Sequence, residues 1–165
     1  MSVTVARRSH GDEGVAVIEF ALILPLFMSL VLGMFTGGIL TNRKLEVTHA
    51  AREGARYGSM VPVDETFVSG NWATNVRDVV VERSDGQLTA DDVCVALVDG
   101  DTPVALSDDH TTRADGAPCF DDSADSPTGR RVQVDAVAAG TLEVIFFTKS
   151  IDLTAQVTAR YEDFT

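Results

Sequence analysis

The stretch that decides the fold is residues 15–40, which read VAVIEFALILPLFMSLVLGMFTGGIL and are almost wholly apolar. As an α-helix this stretch would span roughly 39 Å at ~1.5 Å per residue, more than the ~30 Å hydrocarbon core of a bilayer. A secretory signal peptide has a shorter apolar region and then an A-x-A-like cleavage site, which is absent here. A buried core helix is disfavoured, because nothing else in the chain is apolar enough to surround it. The stretch therefore predicts one membrane-spanning helix in contact with the lipid bilayer.

A helical pattern continues beyond Leu40 in the sequence TNRKLEVTHAAREGARYG. One face carries the small or apolar residues Val47, Ala51, Gly54, Ala55 and Gly58, and the charged residues Arg43, Lys44, Arg52, Glu53 and Arg56 lie largely off it. Small residues allow another backbone to come close. We therefore expect one helix over roughly 12–59, membrane-spanning at 15–40 and amphipathic at 41–59, with Pro62 as a stop signal.

The remaining residues, 60–165, predict a small extracytoplasmic α+β head with an antiparallel sheet. The patterns indicate a helix at 71–84 closed by the turn Ser84-Asp85-Gly86, strands at 92–98, 131–138 and 151–161, and an Asp-, Gly- and Pro-rich loop at 99–129. Apolar and polar residues alternate most clearly in 151–161, which is typical of a strand with one wet face. Residues 141–147, TLEVIFF, fit a strand or a helix, and periodicity leaves both open.

Acidic residues are concentrated in the second part of the chain. The formal net charge is −12, and residues 58–165 alone hold 20 acidic and 7 basic side chains. Such a surface repels phosphate, so we expect no nucleic-acid partner. The charge suits a secreted head, and ordinary solubility accounts for it as well. Clustered aspartates in 99–129 could bind Ca²⁺, but the EF-hand spacing is absent, which favours a solvated acidic loop.

The chain has two cysteines, Cys94 and Cys119, and no CxxC motif. Two distant thiols supply too few ligands for a metal, and the three histidines lie far apart in the sequence, so we expect no metal and no other cofactor. A disulfide between the two cysteines is predicted if they lie outside the cytoplasm, and two free buried thiols remain the alternative. No Ser/His/Asp or Cys/His arrangement, phosphate loop or HExxH motif occurs, so we expect a protein that is not an enzyme.

One carboxylate, Glu19, lies near the start of the apolar stretch. Ionisable groups are costly in lipid, which makes Glu19 a candidate functional residue. A position only five residues past the polar N-terminal segment also fits an ordinary interfacial residue. The residue type alone leaves both interpretations open.

The pattern around Glu19 resembles the processing site of type IV prepilins. A short basic leader is followed by Gly14, four apolar residues, Glu19-Phe20 and the long apolar stretch. The run AAREGARY at 50–57 resembles the sequence that follows the membrane helix in TadE-like minor pilins of the tight-adherence (Flp) pilus system. The run TARYE at 158–162 is similar to the C-termini of that family, whereas the resemblance is weak over the rest of the head.

The resemblance implies that residues 1–14 are a leader and that a prepilin peptidase cuts the Gly14–Val15 bond on the cytoplasmic side. Val15 then becomes the mature N-terminus and Glu19 the fifth mature residue. In such pilins the glutamate is expected to pair with the terminal amine of a neighbouring subunit, because either charge alone is costly in a low-dielectric bundle. We interpret Glu19 and the adjacent Phe20 as assembly residues.

Pro25 lies where family pilins often carry a proline. It removes one helix hydrogen bond, which permits a kink, although a merely tolerated membrane proline is equally consistent.

The function that the resemblance implies is structural: a minor pilin or pseudopilin for assembly or initiation of a tight-adherence pilus. Its expected partners are the prepilin peptidase, other pilin and minor pilin subunits, and the inner-membrane pilus assembly platform. Its expected location is the bacterial cytoplasmic membrane, with the N-terminus inside and the head outside, and then the surface pilus. Two alternatives stay open: a pseudopilin of a secretion machine, and a membrane-anchored extracytoplasmic binding domain.

Basic residues near the apolar stretch argue against this orientation. Two arginines precede it, at 7 and 8, whereas four basic residues follow it between positions 43 and 56. By the positive-inside rule the C-terminal side would face the cytoplasm. The four later residues lie on a helix with two glutamates and precede an acidic head, and prepilin processing needs the leader inside. The expected orientation therefore comes from the resemblance.

Overall fold

The computed structural model describes residues 12–61, 69–99, 102–106, 129–144 and 147–160. Its elements in chain order are helix α1 (Asp12–Met60), helix α2 (Ser69–Arg83), a 3₁₀ turn (Ala90–Asp92), and strands β1 (Val93–Asp99), β2 (Thr102–Leu106), β3 (Arg130–Val144) and β4 (Phe147–Arg160). The predicted α+β class, with a long N-terminal helix and a small antiparallel sheet, is confirmed.

Helix α1 is continuous through Pro25, so the apolar and amphipathic stretches form one element. A proline costs a helix one hydrogen bond, and the long apolar sequence on both sides maintains the helix nonetheless. The helix ends at Met60, close to the predicted end, and Pro62 lies outside the described residues.

The four strands form one antiparallel sheet in the order β2-β1-β3-β4. The longest pairing is the β3–β4 hairpin, whose register runs from Arg131 opposite Arg160 to Val144 opposite Phe147. Residues 141–144 are thus strand, which decides the alternative that the sequence left open. The two residues between Val144 and Phe147 lie outside the described part.

The prediction of a loop over 99–129 is wrong for residues 102–106, which form β2. Pro103 made this segment look unlike a strand, because proline cannot donate a backbone hydrogen bond to a ladder. β2 pairs with β1 alone, at the edge of the sheet, where a missing donor is tolerated. The register shifts beside Pro103, between Leu97 and Val98 of β1.

The core lies between the helices and one face of the sheet. The C-terminal half of α1, with α2, covers inward residues of β1, β3 and β4, among them Val93, Val95, Leu97, Val132, Val134, Ala136, Leu153 and Ala155. In β4 the alternation predicted for 151–161 is confirmed through Arg160, because the residues between the inward positions are exposed.

The opposite face of the sheet is exposed along β4 and at the end of β3, where Ala139, Thr141 and Glu143 are exposed. On β3 the outward residues Arg131, Gln133 and Asp135 are buried, and on β1 Cys94 and Ala96 are buried as well. The alternation in 131–138 therefore marks two buried faces, not one buried and one wet. Gln133 Nε2 donates to Asp135 Oδ2 at 3.3 Å, which partly satisfies these buried polar groups.

The predicted turn after α2 is also confirmed. Asp85 and Gly86 both take positive φ, 50° and 78°. Glycine adopts that conformation at little cost, and aspartate tolerates it better than most residues. The buried Ser84 hydroxyl donates to Val81 O at 2.7 Å and accepts from Leu88 N at 3.1 Å, which holds the chain as it turns towards β1.

Candidate functional site: the membrane helix and its junction with the head

The N-terminal half of α1 is largely exposed in the part of the chain that the structure describes. Its large apolar side chains are exposed, including Val17, Ile18, Phe20, Leu22, Ile23, Leu26, Phe27 and Leu30. The helix is long and apolar enough to cross a membrane, and its most apolar window is not buried in the protein. A core helix of a soluble protein would be mostly covered. The helix is therefore a single-pass membrane anchor by length, composition and exposure.

Glu19 is the single charged residue between Gly14 and Arg43 in the sequence. Its side chain is exposed on α1, and its sequence neighbours Ile18 and Phe20 are 64% and 63% exposed. The nearest basic residue that follows it on the helix is Arg43, far along α1, so the apolar surface around Glu19 supplies no counter-charge. Any apolar environment that covers the helix would leave the carboxylate to be paired or protonated.

Gly14 and Val15 both lie in α1 and are exposed. Proteases generally need an extended substrate, so cleavage here requires the start of the helix to unwind. Glycine disfavours helix by ~1 kcal/mol relative to alanine, and the first turn lacks a full set of helical hydrogen bonds. The bond predicted to be cut thus lies in the first turn, where unwinding breaks few helical hydrogen bonds.

The small-residue stripe of α1 is the junction with the head. A Cβ added at Gly54 would overlap Val80 Cγ2 and lie 3.4 Å from the carbonyl oxygen of Val76. A Cβ at Gly58 would lie 3.0 Å from Val76 Cγ2 and 3.1 Å from both Trp72 and Val132. The backbone that the small residues admit is therefore α2 of the same chain. The charged residues off the stripe, Arg52, Glu53 and Arg56, are exposed as predicted.

Trp72 closes the C-terminal end of α1. Its indole Nε1–H donates to the Gly58 carbonyl at 3.1 Å, and the side chain is 3% exposed. The last carbonyls of a helix have no partner within the helix, so this bond satisfies one that would otherwise be buried unpaired. The sequence reasoning missed this contact, although a lone tryptophan soon after a helix end is a usable signal.

Cys94 is disulfide-bonded and buried in β1. Cys119, the other cysteine of the chain, lies outside the described residues, so the pairing of these two remains a prediction. Most of the aspartate-rich loop also lies outside them. Within the described ranges no group of three or more His, Cys, Asp or Glu residues could hold a metal ion.

Residues 14–56 match the family model of TadE-like proteins. The TadE-like match begins at the glycine before the predicted cleavage point and runs through the membrane helix into the stripe that receives the head, so the predicted resemblance is confirmed. No curated protein and no solved structure matches the chain. The matched family is one of structural, pilus-associated proteins, and the match covers 43 of the 165 residues of this chain.

We expect the Cys94–Cys119 disulfide to stabilise the head. Closing a loop of roughly 25 residues contributes about 3 kcal/mol on the chain-entropy model. Thermal unfolding of purified protein should therefore shift to lower temperature with a reducing agent, and the Cys94→Ser/Cys119→Ser variant should unfold at that lower temperature with or without reductant. Alkylation of both thiols in protein extracted without reductant would contradict the pairing.

Proposed function

We propose that this chain is a structural minor pilin or pseudopilin that assembles or initiates a tight-adherence pilus. The observation that carries the proposal is the exposed apolar helix, which bears one carboxylate, Glu19, five positions after Gly14. The same helix continues into the small-residue stripe that contacts the head. A helix of this kind needs a covering, first lipid and then the helices of neighbouring subunits. The TadE-like match over residues 14–56 supports the assignment to this pilus system.

Glu19 sets the register between subunits in this proposal. After cleavage the amine of Val15 and the carboxylate of Glu19 are the charges at the apolar end of the mature helix. Between neighbours in one low-dielectric bundle, each charge is stabilised when it meets its opposite, and an unpaired buried charge is destabilising by several kcal/mol. Charge pairing thus selects one axial offset of adjacent helices, and the apolar surface around Phe20 supplies non-directional packing.

The proposed partners follow from the stages of assembly. A prepilin peptidase removes residues 1–14, the inner-membrane assembly platform receives the mature subunit, and other pilins and minor pilins pack against α1. The proposed orientation places the N-terminus in the cytoplasm and the acidic head outside the cytoplasmic membrane. A head fixed to the end of α1 by Gly54, Gly58 and Trp72 would then project from the filament surface.

The first test is the mature N-terminus. We expect mass spectrometry of protein from native membranes to find a chain beginning at Val15, because the glycine-to-glutamate spacing matches prepilin processing. A predominantly uncut chain in cells with an active prepilin peptidase would contradict the proposal. As a control, blocking the site with Gly14→Ile should retain the leader, whereas Gly33→Ile, in the same exposed helix, should be cut normally.

The second test separates a pilus subunit from a pseudopilin of a secretion machine, which would be cut in the same way. Pili sheared from cells should contain the mature chain if it is a filament subunit. A chain that is cut but stays entirely in the membrane fraction would favour the secretion alternative or a base-restricted initiating role.

A further inference from the structure

The end of the β3–β4 hairpin lies beside the membrane helix, not beside the rest of the head. β3 runs antiparallel to α1: Val132 is close to Gly58, and Gly140 is so close to Leu40 that an added Cβ would lie 2.7 Å from Leu40 Cδ2. The rise from Leu40 to Gly58 along the helix is roughly 27 Å, and that from Val132 to Gly140 along the strand is roughly 26 Å. β3 and α1 therefore lie side by side over this length, and the hairpin continues past Leu40 towards the N-terminus of α1.

A contact between Thr36 and Glu143 indicates the depth that the hairpin reaches. The Thr36 hydroxyl donates to Leu32 O at 2.9 Å and lies 3.3 Å from the carbonyl oxygen of Glu143. Thr36 is four positions before Leu40, the last residue of the apolar stretch, and is thus roughly 6 Å inside it. The hairpin end beyond Glu143 reaches further still. Because the apolar stretch exceeds a ~30 Å hydrocarbon core by about 9 Å, this depth corresponds to the membrane–water boundary.

Among the exposed residues of β4, Phe147 at this end is the one apolar side chain. Val144 pairs with Phe147, and the sequence across them is Val-Ile-Phe-Phe. Phe147 is 56% exposed, whereas the next positions of β4 are the exposed polar residues Thr148, Lys149 and Ser150. An exposed phenylalanine followed closely by a lysine matches a segment whose apolar end enters lipid while its ammonium group stays at the headgroups.

We propose that the end of this hairpin, marked by the paired residues Val144 and Phe147, inserts into the interfacial region of the leaflet that faces the head. The inserted segment is a second membrane contact beside α1, and it restricts rotation of the helix about its own axis. Lipid is the occupant because the exposed apolar residues of α1 at the same height, Met34 and Phe35, continue the surface of the membrane helix. A protein partner would require an apolar patch that extends up the hairpin, where the side chains are polar.

The test uses full-length protein reconstituted in phosphatidylethanolamine–phosphatidylglycerol vesicles that contain lipids brominated on the acyl chains. In Phe147→Trp we expect the emission added by the new tryptophan to be blue-shifted and largely quenched, more by bromines near the headgroup than by bromines near the chain end. Native Trp72 is buried in the head and supplies an unquenched background. Thr158→Trp, on the exposed face of β4 far from the hairpin end, is the matched control and should be neither shifted nor quenched.

Quenching of the Phe147→Trp emission equal to that of Thr158→Trp would overturn the proposal. So would a blue shift without quenching by bromolipid, because the hairpin end would then be covered by protein. If Phe147→Trp changes the circular dichroism spectrum, the same shift and quenching measurements are made on Thr148→Trp. Thr148 is exposed and is the next residue along β4. The result does not depend on pilus assembly, so the proposed function could fail while this proposal holds.

Discussion

Gly54→Ala is expected to loosen the head from α1 and to lower its free energy of unfolding by about 1–3 kcal/mol, the usual range for overpacking a filled core. The new methyl group would overlap Val80 Cγ2, and the carbonyl oxygen of Val76 limits retreat of α2. Valine in a helix has one strongly preferred side-chain rotamer, so Val80 cannot swing aside cheaply. Alanine gains ~1 kcal/mol in helix propensity over glycine, and a loss of stability would show that the contact outweighs this gain.

The fluorescence of Trp72, the single tryptophan of the chain, reports the junction directly, since its indole bonds to Gly58. Urea or thermal unfolding in detergent micelles gives the free-energy change. Gly38→Ala is the matched control: nothing lies within 4 Å of its added Cβ, so the same chemical change should be neutral or slightly stabilising. In the double variant Gly54→Ala/Val80→Ala the two losses should not add, because the overlap is removed. Equal stability of the Gly54 and Gly38 variants would refute the role of the stripe as a junction.

Replacement of Glu19 by alanine is expected to reduce incorporation of the subunit into pili on the order of 100-fold, since an unpaired buried charge costs about 3 kcal/mol or more. Membrane insertion should be retained, because the change removes a costly group from an apolar helix. The head should stay folded, because its junction with α1 begins far along the helix. The measurement is the ratio of this subunit in sheared pili to that in the membrane pool.

The order of further variants separates charge pairing from packing. Glu19→Gln keeps the size but not the charge and should be nearly as poor as alanine, whereas Glu19→Asp keeps the charge with a shorter reach and should be intermediate. A packing role predicts that glutamine is tolerated better than aspartate. Ser29→Ala, which removes a neutral polar group from the same helix, is the control and should assemble normally. Wild-type incorporation of Glu19→Ala would return this residue to an ordinary interfacial role.

The expected results for Gly54 and Glu19 assign different roles to the two halves of α1. The exposed apolar half needs an external covering, whereas the stripe around Gly54 is already covered by α2. A variant at Glu19 should therefore change assembly with the head intact, and a variant at Gly54 should change the head with the membrane helix intact. The TadE-like match over residues 14–56 includes both Glu19 and Gly54, so the match alone does not separate their proposed roles.

The membrane helix, the second helix and β4 could be predicted from local sequence. An apolar stretch as long as residues 15–40 has few structural solutions, and strict alternation along 151–160 has one common interpretation. The resemblance to TadE-like proteins was equally local, because it depends on Gly14, Glu19 and the AAREGAR run at a set spacing. Cleavage at Gly14–Val15 and the pairing of Glu19 stay predictions, since they concern a processing event and neighbours that one chain does not contain. The kink at Pro25 also stays a prediction.

The tertiary structure decided the points that the sequence left ambiguous, and it corrected two points where the sequence pattern was misleading. The pattern in 131–138 predicts one buried face, yet Arg131 and Asp135 are buried too, because burial depends on what else packs there. Pro103 led to the prediction of a loop where the structure has the edge strand β2. Proline is excluded from a strand only where its backbone nitrogen must donate a hydrogen bond to a neighbouring strand. A stripe of small residues indicates that another backbone comes close, but it does not identify the element to which that backbone belongs. The packed molecule identifies that element as α2. The packing also places Glu143 beside Thr36. Periodicity along a chain is a local property, whereas the partner of a surface is settled by contacts between residues far apart in sequence.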